Sequence, residues 1–232
     1  MSTIDAARII GLVDLTSLNE DDTEEIVDEL CDQAVTVKGP VAAVCVMPAF
    51  VAQAAERLEG TGVRIATVAN FPGGDPDPDA AAREVAAAVA EGADEVDVVA
   101  PWRAALAGDY GAIGALVSAC AGECEVLKVI LETGSHPDPA KTRIMAEYAL
   151  ESGAAFLKTS TGKHGPGASL DAARILLSVA GRRAGVKVAG GIRTPAEAAE
   201  YVMLADELQD GPAVAQSFRL GASSLLAELV AQ

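Results

Sequence analysis

Residues 78–99 read Pro-Asp-Ala-Ala-Ala-Arg-Glu-Val-Ala-Ala-Ala-Val-Ala-Glu-Gly-Ala-Asp-Glu-Val-Asp-Val-Val, and their period changes midway. Pro78-Asp79 suits the opening of a helix, because the first helical N–H has no partner to lose. The Ala-rich run predicts a helix over 79–91, and Gly92 closes it. The aliphatic run 95–99 then predicts a short buried strand. The same punctuation recurs downstream: Pro139 opens a helix and Gly153 closes it before Ala154-Ala-Phe-Leu-Lys-Thr159. Ser169 reads as an N-cap, and Thr194-Pro195 as an N-cap followed by proline at the first helical position.

Strands are expected at 11–16, 41–47, 64–69, 95–99, 125–131, 154–159, 186–189 and 218–222. Amphipathic stretches at 22–35, 48–58, 79–91, 138–152, 169–180 and 195–208 predict the helices between them. Strand starts recur about every 30 residues, the length of one βα unit. Eight strands alternating with helices predict an α/β fold, a single closed (β/α)8 TIM barrel over residues 1–232. An open doubly wound sheet is the alternative. It calls for a Gly-rich nucleotide turn after the first strand, and Asp14-Leu-Thr-Ser-Leu-Asn-Glu-Asp-Asp22 is not one.

Half of the residues are hydrophobic but only 3% are aromatic, so Ala, Val, Ile and Leu must fill the core. No apolar run approaches the roughly 20 residues that span a bilayer, and Met1-Ser-Thr-Ile-Asp5 lacks a basic signal-peptide start. A soluble, cytoplasmic protein without membrane association is expected. The net charge of −17 argues against nucleic acid, since phosphate backbones need a basic footprint. An anionic ligand would need positive potential focused in one place. Cys31, Cys45, Cys120 and Cys124 lack the spacing of a metal site, and the chain has only His136 and His164. Reduced, buried thiols and no metal or cofactor are expected.

Six lysines occur, at 38, 128, 141, 158, 163 and 187. Lysine is depleted in strands and seldom buried without a partner. Lys128, Lys158 and Lys187 nevertheless fall within expected strands, and Lys163 follows one. At the C-terminal face of a barrel, Lys158 and Lys187 would project from consecutive strands. A second positive charge and desolvation both disfavour a protonated lysine, which can then attack a carbonyl to form an imine. The plainer alternative is two lysines at the barrel mouth, each paired with a carboxylate. Asp97 and Asp14 are the matching carboxylates, each set between aliphatic neighbours. Asp97 is the candidate for moving protons, or else a counter-ion for Lys128 or Lys187. Three turns, Ser160-Thr161-Gly162-Lys163, Ala189-Gly190-Gly191-Ile192 and Gly221-Ala222-Ser223-Ser224, offer backbone N–H groups to an anion. Phosphate sites of barrels commonly lie after the last two strands.

These residues fall in motifs that resemble the deoxyribose-phosphate aldolase family. They are Leu157-Lys-Thr-Ser-Thr-Gly-Lys163, Gly92-Ala-Asp-Glu-Val-Asp-Val-Val99, Leu127-Lys-Val-Ile-Leu-Glu-Thr-Gly134 and Ala189-Gly-Gly-Ile-Arg-Thr194. Asp14-Leu-Thr-Ser-Leu18, Ala66-Thr-Val-Ala-Asn-Phe-Pro72 and Phe218-Arg-Leu-Gly-Ala-Ser-Ser224 extend the match along the chain. The resemblance implies reversible cleavage of 2-deoxyribose 5-phosphate to glyceraldehyde 3-phosphate and acetaldehyde by a class I, metal-free mechanism. It implies Lys158 as the imine-forming lysine, Lys187 as the group that keeps it deprotonated, and Asp97 as a proton shuttle working with a water. Gly162, Lys163, Gly190, Gly191, Ser223 and Ser224 would bind phosphate, flanked by Thr161 and Gly221. Asp14 and Thr16 would sit near the substrate, with Cys45 close to the pocket. Partners would be a phosphorylated sugar and aldehydes, with a homodimer as the assembly. Two departures stand out: Val188 follows the second lysine where the family often has proline, and the last tyrosine is Tyr201, with no tyrosine-ended tail before Gln232.

Overall fold

The computed structural model describes residues 4–136, 138–209 and 211–231. Met1–Thr3 and Gln232, on which the expectations about the chain start and the tail rest, lie outside the described residues. Eight parallel strands close into a barrel: β1 Val13–Thr16, β2 Ala43–Cys45, β3 Arg64–Ala69, β4 Glu95–Val99, β5 Val126–Ile130, β6 Phe156–Lys158, β7 Gly185–Ala189 and β8 Phe218–Ala222. Closure runs through β8 and β1, where Asp14 lies opposite Gly221. The fold is the (β/α)8 barrel that the alternation of periods implies.

Helices Glu24–Gln33, Val51–Arg57, Pro78–Ala90, Pro139–Glu151, Leu170–Ala180 and Pro195–Leu208 occupy the expected stretches. Their starts are capped as read. Asp77 accepts from the Ala80 amide, Ser169 from the Ala172 amide, and Thr194 with Glu197 forms a reciprocal capping box. Four further helices, Ala6–Ile10, Trp102–Leu106, Gly111–Ala121 and Leu225–Val230, and a small hairpin of Val35–Thr36 with Gly39–Pro40, were not anticipated. Three of these helices are barely a turn or two long. The Gly111–Ala121 helix buries Ile113, Leu116, Val117 and Cys120 at helical spacing, but Ala and Gly around them leave no polar stripe to reveal the face.

The packing separates into two environments. Outward-facing strand residues such as Val96, Val98, Leu127, Val129 and Leu157 join the helices in one continuous aliphatic core. Inside the barrel a small apolar cluster forms against Leu18: Ala43 and Cys45 from β2, with Ala66 and Val68 from β3. The inward positions of β4 to β8 and of β1 instead carry Glu95, Asp97, Lys128, Lys158, Lys187, Arg219 and Asp14, all buried. Alternation along each strand is the reason, because residues two apart share the interior face. Cys31, Cys45 and Cys120 are buried free thiols, whereas Cys124 is only partly covered, at the end of its helix connection. Among the described residues no helix is long and apolar enough to cross a membrane.

The interior also explains one glycine. Phe156 pairs with Gly185 across β6 and β7, and a Cβ at Gly185 would lie 2.2 Å from the Phe156 ring. Gly185→Ala is therefore expected to lower stability by about 1–3 kcal/mol through overpacking, measured by urea denaturation. Phe156→Leu in the same chain should restore part of the loss; an unchanged midpoint for the single variant would contradict this packing.

Candidate active site

The charged interior is a connected figure, not a set of separate pairs. Asp97 on β4 is its centre: Oδ2 accepts from Lys158 Nζ at 2.7 Å and from Lys187 Nζ at 2.8 Å, while Oδ1 accepts from Lys128 Nζ at 2.8 Å. Lys187 lies 2.6 Å from Asp14 Oδ2, and Arg219 donates to Asp14 Oδ1 at 2.7 Å. Arg219 also donates to Glu95 Oε1 at 2.8 Å, and Glu95 Oε2 lies 2.7 Å from Lys128 Nζ. The path Asp97–Lys187–Asp14–Arg219–Glu95–Lys128–Asp97 thus closes on itself. Lys158 is attached to the ring at Asp97 alone among these carboxylates.

The charge count of this figure decides its chemistry. The ring holds three carboxylates, Asp14, Glu95 and Asp97, and three cations, Lys128, Lys187 and Arg219. A protonated Lys158 adds a fourth positive charge to a buried, otherwise balanced set. Burial pushes the Lys158 ammonium below its ordinary range; Asp97 opposes this and Lys187 adds to it. Lys187 is also penalised by burial, but Asp14 and Asp97 outweigh that and hold it above the ordinary range. Lys128 is likewise raised, Asp97 and Glu95 prevailing over burial and Lys187. Asp97 and Asp14 are held low: burial works against ionisation, and the surrounding cations overcome it. Lys158 is therefore the amine that most readily stands neutral.

Above the ring, at the C-terminal mouth, lies a cleft of about 280 Å³, a size suited to a small ligand. Lys158 and Lys187 form its floor. Thr16, Thr161, Gly162, Lys163, Gly190, Gly191, Gly221, Ser223 and Ser224 line its walls. The three glycine-containing turns therefore converge on one site. Asp14, Asp97 and Cys45 do not line the cleft. They are buried beneath it, and Asp14 supports Lys187 from below. Burial raises the Cys45 thiol above its ordinary range, so it is not held as a thiolate. Gly190 and Gly191 have φ of 99° and 87°, backbone that glycine adopts without strain. A Cβ at Gly190 would also meet the Gly167 Cα at 2.9 Å. Among the described residues no group of three His, Cys, Asp or Glu side chains is placed to hold a metal ion.

Residues 8–229 match the family model described as DeoC/LacD family aldolase. The chain belongs to that family. Similar solved structures include a Coccidioides immitis protein provisionally assigned as a deoxyribose-phosphate aldolase. It is 30% identical, with a TM-score of 0.85, over 98% of this chain and 88% of that one. The tetrameric deoxyribose phosphate aldolase of Aeropyrum pernix is 26% identical, with a TM-score of 0.79, over 98% and 91% of the two chains. An aldolase called QR15 is 27% identical, with a TM-score of 0.81, over 96% of each chain.

Three residues of this candidate site were not singled out from sequence. Glu95 and Arg219 complete the ring; each sits in a strand between or beside aliphatic residues, the same signal that exposed Asp97 and the lysines. Glu132 follows β5 in a left-handed conformation, φ 49°, unusual for a residue with a side chain. Its buried carboxylate accepts from the Thr161 hydroxyl at 2.5 Å and the Thr161 amide at 3.2 Å. It thereby fixes the turn that carries Gly162 and Lys163. Val188, where the family often has proline, faces the outer core and does not line the cleft.

Asp97→Asn is expected to cost about 3–5 kcal/mol, because the buried cations Lys128 and Lys187 lose their shared anion. In the native chain the depressed Asp97 and Asp14 pKa values contribute stability above the ordinary carboxylate range. That contribution is lost as pH falls through that range toward the folded-state values. Urea denaturation from pH 7 to pH 3 should show a shallower decline for Asp97→Asn; parallel declines would refute the assignment.

Proposed function

We propose that the chain reversibly cleaves 2-deoxy-D-ribose 5-phosphate to D-glyceraldehyde 3-phosphate and acetaldehyde through an imine on Lys158. The observation that carries this reading is the surplus position of Lys158. It faces the cleft, touches Asp97, and is the one amine that the balanced ring does not need protonated.

Neutral Lys158 Nζ adds to the aldehyde carbon of the open-chain sugar, giving a carbinolamine. Loss of its hydroxyl as water, with a proton supplied from the Asp97–Lys187 pair, leaves a protonated imine. The hydroxyl on the carbon β to the imine then gives up its proton, and the bond between the α and β carbons breaks. Its electron pair passes to the imine as an enamine, while the β carbon departs as the aldehyde of glyceraldehyde 3-phosphate. Protonation of the enamine carbon and addition of water release acetaldehyde and regenerate the amine. Asp97 Oδ2 suits the proton transfers because it touches both Lys158 and Lys187.

The remote phosphate belongs at the turns. Gly162, Gly190, Gly191, Ser223 and Ser224 supply backbone and hydroxyl donors, and Lys163 supplies charge. In a chain of net charge −17, this local set is what admits a dianion. Anchoring that end orients the reacting carbons over Lys158. Thr16 lines the cleft wall, and in this reading it contacts the sugar hydroxyls.

Wild-type protein should release acetaldehyde and glyceraldehyde 3-phosphate from 2-deoxyribose 5-phosphate in a coupled reductase assay, and Lys158→Met should lose at least about 10³-fold in kcat while remaining folded. Absence of product with wild type would overturn the reading. Lys187→Leu leaves Asp14 and Asp97 less compensated, so Lys158 should hold its proton to higher pH. The acid limb of kcat/KM should then move upward, and an unmoved limb would remove that role from Lys187.

A further inference from the structure

The ring reaches from the catalytic mouth to the opposite end of the barrel. Arg219 lies near the start of β8 and Glu95 at the start of β4. Both line an open basin of about 1080 Å³ at the N-terminal mouth, away from the substrate cleft. Arg219 is held there on all sides: its Nε donates to the Ala215 carbonyl, its two terminal nitrogens bond Asp14 and Glu95, and its guanidinium sits 5.8 Å from the Phe156 ring centroid. Neither residue can touch a ligand bound at the glycine turns, since neither lines that cleft.

We infer that Arg219 and Glu95 are positioning residues that act from the far mouth of the barrel, fixing the charge balance under Lys158 and so whether that amine carries a proton. The inference rests on the proposed role of Lys158 as the amine that must be neutral to react. Its physical basis is the sign of each charge. Arg219 holds Asp14 and Glu95, and those two carboxylates hold Lys187 and Lys128 against Asp97. Removing the positive charge of Arg219 leaves the ring one negative charge in excess, which favours a protonated Lys158. Removing the negative charge of Glu95 leaves one positive charge in excess, which favours a neutral Lys158. A unit charge about 10 Å away in an effective dielectric of about 20 shifts a titration by about one pH unit.

The groups facing Lys158 are Asp97, Lys187 and Cys45 directly, with Lys128 and Asp14 behind them. Around the basin the remaining charges are Lys38, Arg64, Glu125, Arg182 and Arg183. Arg64 pairs with Asp94, Arg183 with Glu147, and Lys38 donates to the Leu229 carbonyl. These are partnered outside the ring, which leaves Arg219 and Glu95 as the link between the basin and the catalytic lysines.

The test is competitive acetylation of the full-length protein with trace acetic anhydride across pH, with the Lys158 rate read by peptide mapping. Arg219→Met should move the Lys158 titration up by about one pH unit and Glu95→Gln down by about as much. Arg219→Lys should restore most of the native value, and the double variant Arg219→Met, Glu95→Gln should return close to it. Simple loosening of the barrel would hydrate Lys158 and move both single variants in the same direction. Shifts of the same sign, or none, overturn the inference. If Arg219→Met fails to fold, Glu95→Gln and Arg219→Lys decide it: a downward shift in the first with a near-native second supports ring control, and any other pattern refutes it. The labelling uses no aldehyde, so it separates the two ideas. Opposite shifts without sugar cleavage would remove the proposed function and keep ring control, whereas cleavage with unshifted titrations would do the reverse.

Discussion

One buried carboxylate, Asp97, holds three buried lysines inside the barrel, and the rest of the site follows from that constraint. Each ion taken out of water costs several kcal/mol, and only close opposite charges with full hydrogen bonding offset it. Asp97 cannot satisfy Lys128, Lys158 and Lys187 alone. Glu95 also holds Lys128 and Asp14 also holds Lys187, and Arg219 ties those two carboxylates together. What results is neutral when Lys158 is neutral. A lysine kept neutral in this way needs no unusual neighbour, only a set of charges already balanced without it.

Stability and reactivity are assigned to different layers of the molecule. The aliphatic annulus between strands and helices forms one continuous core, and burial of that kind is the main favourable contribution to folding. The barrel interior contributes little of it, being small and apolar on β2 and β3 and charged on the other strands. The mouth is built from glycine turns whose backbone donors suit an anion without adding bulk. Glu132 links the second layer to the third, its strained backbone and buried carboxylate holding the Thr161 turn above Lys158. Interior charge, mouth and outer core can therefore vary with some independence, although all three meet on the same eight strands.

The architecture was legible because short aliphatic runs alternate with amphipathic, Ala-rich stretches, and helices such as Pro78–Ala90 and Pro195–Leu208 carry proline and capping signals at their starts. The short helices and Gly111–Ala121 were not, since a few residues or an Ala-rich surface give no amphipathic stripe. Within the site, Lys158, Lys187 and Asp97 announced themselves as charges among aliphatic residues. Glu95 and Arg219 gave the same signal at strand starts, where a polar residue is ordinarily read as the edge of a loop. Their inward direction follows only from register, Glu95 opposite Ala66 and Arg219 opposite Lys187. The depth of Asp14 was hidden for a related reason: sequence places it within β1 but does not show how far it lies below the cleft.

The central claim is that Lys158 is the nucleophile, and a chemical trap tests it most directly. Wild-type protein incubated with acetaldehyde and borohydride should gain a single reduced two-carbon group, located by peptide mapping on Lys158. An adduct on Lys187, Lys128 or Lys163 instead, or no adduct on folded protein that binds 2-deoxyribose 5-phosphate, would contradict it.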